Sequence, residues 1–132
     1  RDQVIWKNKA RGGGAVASLT HQQIRLAKVA AKIEAADALL HKSIELVESG
    51  RVLEYPERVR LRCNYAYCAE MCTEAMETIY TSSGAAASAE SHPLQQFWRD
   101  IHAGAQHTAF NFDWVGELFG KLELGLPVKV EY

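Results

Sequence analysis

The sequence predicts an all-α domain, an antiparallel helical bundle, and three observations carry that expectation. Apolar residues recur at steps of three and four over long stretches, the period of a helix face. Proline and glycine fall at the borders of those stretches, where helices start and stop. No stretch alternates with the period of two that a half-buried strand would show.

Each element follows from its own residues. Residues 1–19 read as an N-terminal linker: Val4-Ile5-Trp6 is apolar, but Lys7, Lys9 and Arg11 run into Gly12-Gly13-Gly14. Three glycines in a row lose too much backbone entropy to sit inside a helix. So abrupt a start reads as a segment cut from a longer chain. The bundle spans 20–126. Its first helix has Thr20 as a capping residue, Gly50 as its stop, and an inner stripe of Leu26, Ala30, Ile33, Ala36 or Asp37, Leu40, Ile44 and Val47. Ala27, Ala31, Ala35 and Ala38 form a second, small-residue stripe, so this helix is expected to be packed on two sides.

Pro56 suits the first turn of the second helix, in which Leu61, Tyr65, Cys68, Cys72, Ala75 and Ile79 step by four and three. Glu70, Glu74 and Glu77 decorate its other surface. Ser82-Ser83-Gly84 ends it. Pro93 opens a third helix, with Leu94, Phe97, Trp98, Ile101 and Ala105 inward and His102 and His107 both on it. A break at 111–113 precedes a short fourth helix, Trp114 to Leu124, stopped by Gly125 and Pro127; 127–132 is an extended tail.

Composition bounds the function. The 132 residues, 48% hydrophobic and 23% charged, suit one globular domain and exclude disorder. Fifteen Lys and Arg against sixteen Asp and Glu leave a net charge of -1, which excludes simple phosphate-driven binding of nucleic acid. No apolar run is long enough to cross a bilayer and no export signal is visible, so a soluble cytoplasmic protein is expected. Cys63, Cys68 and Cys72 are an odd set without a CxxC pair or a nearby histidine, and read as reduced thiols rather than a metal site.

Histidine is the residue type able to titrate near neutrality without assistance. His21 and His41 read as surface groups and His92 as part of a turn. His107 stands out because it would share a helix face with Asp100 and Ala103, and because Ala103-Gly104-Ala105 beside it would let a ligand approach, although small residues also suit a tight helix crossing. Arg99-Asp100 is either a buried ion pair or surface charge. No phosphate cradle, nucleophile elbow or carboxylate pair is visible.

The run His92-Pro93-Leu94-Gln95-Gln96-Phe97-Trp98-Arg99-Asp100-Ile101-His102-Ala103-Gly104-Ala105-Gln106-His107 resembles the C-terminal helical domain of the acyl-CoA dehydrogenase fold. It is most similar to the branch of two-component flavin-dependent monooxygenases, oxygenase components acting on phenols and related aromatics. The likeness extends from His21-Gln22-Gln23 to Gly116-Glu117-Leu118-Phe119-Gly120 and Leu124-Gly125-Leu126, with Pro93, Arg99-Asp100 and His107 its specific part. In the dehydrogenases a Gly-Gly loop lies fifteen residues before the Arg-Asp pair; here that place holds Gly84 and Ala85. The dehydrogenases' catalytic glutamate would fall at Thr108, which cannot take a substrate α-proton. One residue earlier, His107 matches the monooxygenases' active-site histidine.

The resemblance implies a homotetramer in which reduced flavin (FMN or FAD), delivered by a separate reductase, activates oxygen to hydroxylate a small aromatic substrate. It implies a catalytic His107 and flavin contacts from Gln106, His107, Gly84 and Ala85, across a subunit interface. Arg11 by spacing, or Arg1, would be the arginine that meets flavin ahead of the first helix. It implies no metal. The alternatives are an acyl-CoA dehydrogenase relative with a displaced base and a catalytically silent oligomerisation bundle.

Overall fold

The computed structural model describes residues 13–128, and all of its elements are helical. A 3-10 turn at Val16–Ser18 leads into α1 (Thr20–Glu48); α2 (Tyr55–Ser82), α3 (Pro93–Ala105) and α4 (Phe112–Glu123) follow. Two further 3-10 turns, Ala85–Ser88 and Thr108–Phe110, precede α3 and α4. At 29 and 28 residues, α1 and α2 are each about 42 Å long.

The first two helices run antiparallel, as their cross-contacts require. Arg25 meets Ser82, Lys32 meets Glu74, Ala36 packs with Cys68 and Met71, and Ser43 meets Asn64. One number rises as the other falls. The reversal is made at Gly50, whose φ of +70° is open to glycine at little cost. Pro56 then sits in the first turn of α2, and Glu54 and Glu57 exchange hydrogen bonds with each other's backbone as a capping box.

Arg51 clamps the Glu57 carboxylate with both guanidinium nitrogens. That bond and the Glu54 backbone N–H hold the Glu57 pKa down at about 2. A depressed carboxylate stabilises the fold fully above its unfolded pKa and loses that contribution as pH falls through the folded value. Glu57→Gln is therefore expected to lower the thermal midpoint at neutral pH, with the difference from the parent closing between pH 4.5 and about 2. Melts followed by circular dichroism across that range check it.

The remaining helices lie along α2, each antiparallel to it. α3 covers its C-terminal half, with Trp98 beside Tyr80 and His102 near Glu77. α4 covers the N-terminal half: Val115 is packed with Cys63 and Ala66, and Arg60 caps the Phe119 ring at 3.8 Å. Val115 and Ala66 are fully buried. The link between α3 and α4 thus crosses over the middle of α2.

Three expectations need correction. The inner face of α1 is not the stripe of large residues. Gln22, Val29, Ala36 and Ser43, spaced by seven, are buried against α2, whereas Leu26, Ile33, Leu40, Ile44 and Val47 are 39–57% exposed. Ala36 and Ser43 let the two helix axes approach closely there, and the larger apolar side chains flank the seam. The second stripe, Ala27, Ala31, Ala35 and Ala38, is also exposed, so among the described residues α1 is packed on one side only.

The third helix is shorter than its pattern suggests. It ends at Ala105, so His107 lies beyond it and shares no helix face with Asp100 and Ala103. Phe97 is exposed, and so are Arg99 and Asp100, which settles their pair as surface charge. The three thiols are free, and burial pushes those of Cys63 and Cys68 up, as inert helix cysteines require. No helix among the described residues is long and apolar enough to cross a membrane.

Candidate functional site

Local chain chemistry builds the site at the α3–α4 link. Gln106 terminates α3: its N–H donates to the Ala103 carbonyl at 3.3 Å, and the next N–H, that of His107, donates to the Gly104 carbonyl at 3.1 Å. His107 then turns into extended backbone and caps the next turn: its Nδ1 accepts the Ala109 N–H at 3.1 Å. The Asn111 side-chain oxygen repeats the device for α4, accepting the Trp114 N–H at 3.1 Å. Two caps four residues apart hold this link in one shape.

The His107 ring is braced by aromatic neighbours. Phe110 meets it edge-on at 6.0 Å, and Tyr65 of α2 meets Phe110 at 6.1 Å, nearly perpendicular. Around the ring opens a cleft of about 440 Å3, walled by Ala69, Glu70, Thr73 and Glu74 of α2 on one side and the link residues on the other. His107 and Gln106 are exposed to it.

The cap decides what the imidazole can offer. With its Nδ1 lone pair engaged by a backbone N–H, the neutral ring carries its proton on Nε2. His107 therefore meets a ligand as a hydrogen-bond donor. Gln106 adds an amide and Thr108 a hydroxyl, while Glu70, Glu74 and Asp113 bring carboxylates to the same cleft.

The structure brings Gln106 and His107 together and leaves Gly84 and Ala85 apart. The latter pair follows the C-terminus of α2, about 15 Å along that helix from Thr73. Gly84 has φ +75°, which a side chain would strain, and a Cβ there would touch nothing within 4 Å. The loop is thus an exposed, glycine-shaped surface. Arg1 and Arg11 lie outside the described residues. His92 caps α3 through its own Nδ1, and His21 and His41 are exposed.

Sequence reasoning missed Glu70, Thr73, Glu74 and Phe110. The glutamates read there as plain surface, because nothing in a helical period tells which other element crosses it. Among the described residues no group of histidine, cysteine, aspartate and glutamate is placed to hold a metal ion.

A helical bundle of this order, with a histidine at the α3–α4 link, defines a class, and the sequence comparison agrees: residues 4–112 match the model of the acyl-CoA dehydrogenase C-terminal domain. The chain belongs to that family. Within it, the chain is 31% identical over 110 residues to the oxygenase subunit HsaA of a flavin-dependent monooxygenase from Rhodococcus jostii, covering 80% of this chain and 29% of that protein. It is 29% identical over 126 residues to the oxygenase component of p-hydroxyphenylacetate 3-hydroxylase from Acinetobacter baumannii, covering 91% and 30%. Among solved structures, the 3-HSA hydroxylase from Rhodococcus sp. RHA1 superposes with a TM-score of 0.81 at 29% identity, over 92% of this chain and 32% of that one. The chain spans less than a third of the length of these relatives.

Proposed function

We propose that this chain is the C-terminal domain of a flavin-dependent monooxygenase that hydroxylates a phenolic substrate with oxygen and reduced flavin from a separate reductase. The observation that carries this reading is His107, held by the Ala109 N–H as an Nε2 donor on the wall of an open cleft. The likeness to HsaA and to the p-hydroxyphenylacetate hydroxylase component supports it.

The donors present fit a flavin and an aromatic substrate. An imidazole N–H, a primary amide and a hydroxyl are neutral groups that suit the polar edge of a flat ring, and Phe110 supplies an apolar face. When bound, reduced flavin supplies the activation of oxygen. The chain's part is orientation. His107 Nε2–H donates to the phenol oxygen and fixes the orientation of the substrate ring, and Phe110 with the Ala109 cap keeps the imidazole aimed. Gln106 joins it in meeting cofactor. Gly84 and Ala85, too far along α2 to serve the same ring, meet flavin of a neighbouring protomer; Arg11 or Arg1 contacts flavin ahead of α1.

The partner copy is this same chain, in a homotetramer. The exposed stripe from Leu26 to Val47 supports that reading, because so long an apolar face on one helix is unusual in a free monomer. The reading includes the cytoplasm, where a reductase can supply flavin. Glu70 favours one second reading: a carboxylate on the same cleft could serve a dehydrogenase relative as a displaced base. Turnover of phenols with reduced flavin under oxygen tests the first, and reduction of bound flavin by an acyl-CoA would favour the second.

A further inference from the structure

We propose that Glu77 is a positioning residue for His107, acting through Trp98 and His102 of α3. The inference rests on the monooxygenase reading and adds a residue to it.

α3 is held to the bundle by little. It has 13 residues, none of them buried, and Gly104 weakens its last turn. A helix this short does not persist on its own in water. Half-buried Leu94, Ile101 and Ala105 pack it on the bundle, and its polar tie to α2 is a clasp around one carboxylate. The Trp98 indole N–H donates to Glu77 Oε2 at 2.7 Å, and His102 Nε2 lies 3.7 Å from the same oxygen. The His102 ring stacks on the Trp98 ring at 4.1 Å, and Tyr80 flanks Trp98 at 5.3 Å. His102 Nδ1 is 2.7 Å from the Trp98 carbonyl, which locks the stack to its own helix.

The clasp is continuous with the His107 cleft. Lys32, Thr73, Glu74, Glu77, Thr78 and His102 line one groove, and Thr73 and Glu74 also line the cleft. Lys32 of α1 pairs with Glu74, one turn from Glu77. His102 is one turn before the end of α3, and the link that carries His107 begins there. The far end of that link is fixed by the Asn111 cap and by α4. The near end is fixed by the clasp, so the seating of α3 sets where the imidazole stands. A shift of about 1 Å in a reacting group costs on the order of a hundredfold in rate.

The test uses the native polypeptide that carries this chain, supplied with reduced FMN or FAD and a phenol under oxygen. The readout is hydrogen peroxide released against phenol hydroxylated. Glu77→Ala is expected to raise that ratio about tenfold while the affinity for reduced flavin changes less than twofold. Trp98→Phe, which removes the donor and keeps a ring, should do the same. The double variant should be no worse than either single one, because both break one bond. Glu77→Gln keeps an acceptor for the indole and should restore coupling to within about threefold of the parent. Should Glu77→Ala fail to fold, Trp98→Phe decides the matter.

Unchanged coupling in Glu77→Ala and Trp98→Phe, beside strong uncoupling in His107→Ala, would overturn the proposal and leave the monooxygenase reading intact. Unchanged coupling in His107→Ala would overturn that reading itself. Equal loss of flavin affinity and coupling would make Glu77 a general stability residue, which also overturns the proposal.

Discussion

Replacing His107 with alanine is expected to cut coupled hydroxylation by about a hundredfold, with reduced flavin consumed and hydrogen peroxide released in its place. The magnitude is that of losing one group that positions the substrate, about 2.7 kcal/mol. Stability should change little, by less than about 1 kcal/mol, because the side chain is exposed and makes one cap bond to Ala109. The two readouts separate chemistry from architecture. A packing role for His107 would give the reverse pattern, with a lower melting point and intact product yield. His107→Asn is the informative companion: its side-chain oxygen can still cap the turn, and its shorter reach should leave hydroxylation low.

The second large effect concerns assembly. Introducing Ile33→Asp and Leu40→Asp together is expected to reduce the proposed tetramer to smaller species at micromolar concentration, read by light scattering after size exclusion. Both side chains are more than 40% exposed in the protomer, so the fold itself should tolerate the change and helical content should hold. Covering such side chains in an interface is worth on the order of 1 kcal/mol each, and burying an unpaired carboxylate there costs more. Binding of reduced flavin should fall with the tetramer, since Gly84 and Ala85 are assigned to a neighbour's cofactor. An intact tetramer would remove the α1 stripe from the interface.

Most of the fold was legible because local chemistry determined it. Pro56 and Pro93 stand in the first turns of α2 and α3, and Gly50 lies just past the end of α1. The four apolar stretches became four helices. What the period of apolar residues cannot carry is the identity of the covering partner. On α1 the stripe of large apolar residues was the visible one, yet α2 took Gln22, Val29, Ala36 and Ser43, a mixed set spaced by seven that shares only Ala36 with it. The larger stripe stays exposed, which is why it is proposed as the contact with a second copy.

The site was legible in part and for a different reason. His107 was singled out by the resemblance and by its small neighbours. Its true setting was hidden, because a capping histidine two residues past a helix looks like one more turn of it. The cap matters most chemically, since it fixes which ring nitrogen carries the proton. Glu70 and Glu77 looked alike as surface carboxylates. Only the crossing of α3 over α2 separates a residue on the cleft from one that grips Trp98.

The most direct test of the monooxygenase reading is turnover of the native polypeptide under 18O2, with enzymatically reduced FMN or FAD and a panel of simple phenols. One 18O atom in the hydroxylated product, at a yield that collapses in His107→Ala, is the predicted result. Product without label, or flavin oxidised by oxygen with no phenol hydroxylated while an acyl-CoA reduces bound flavin, would contradict it.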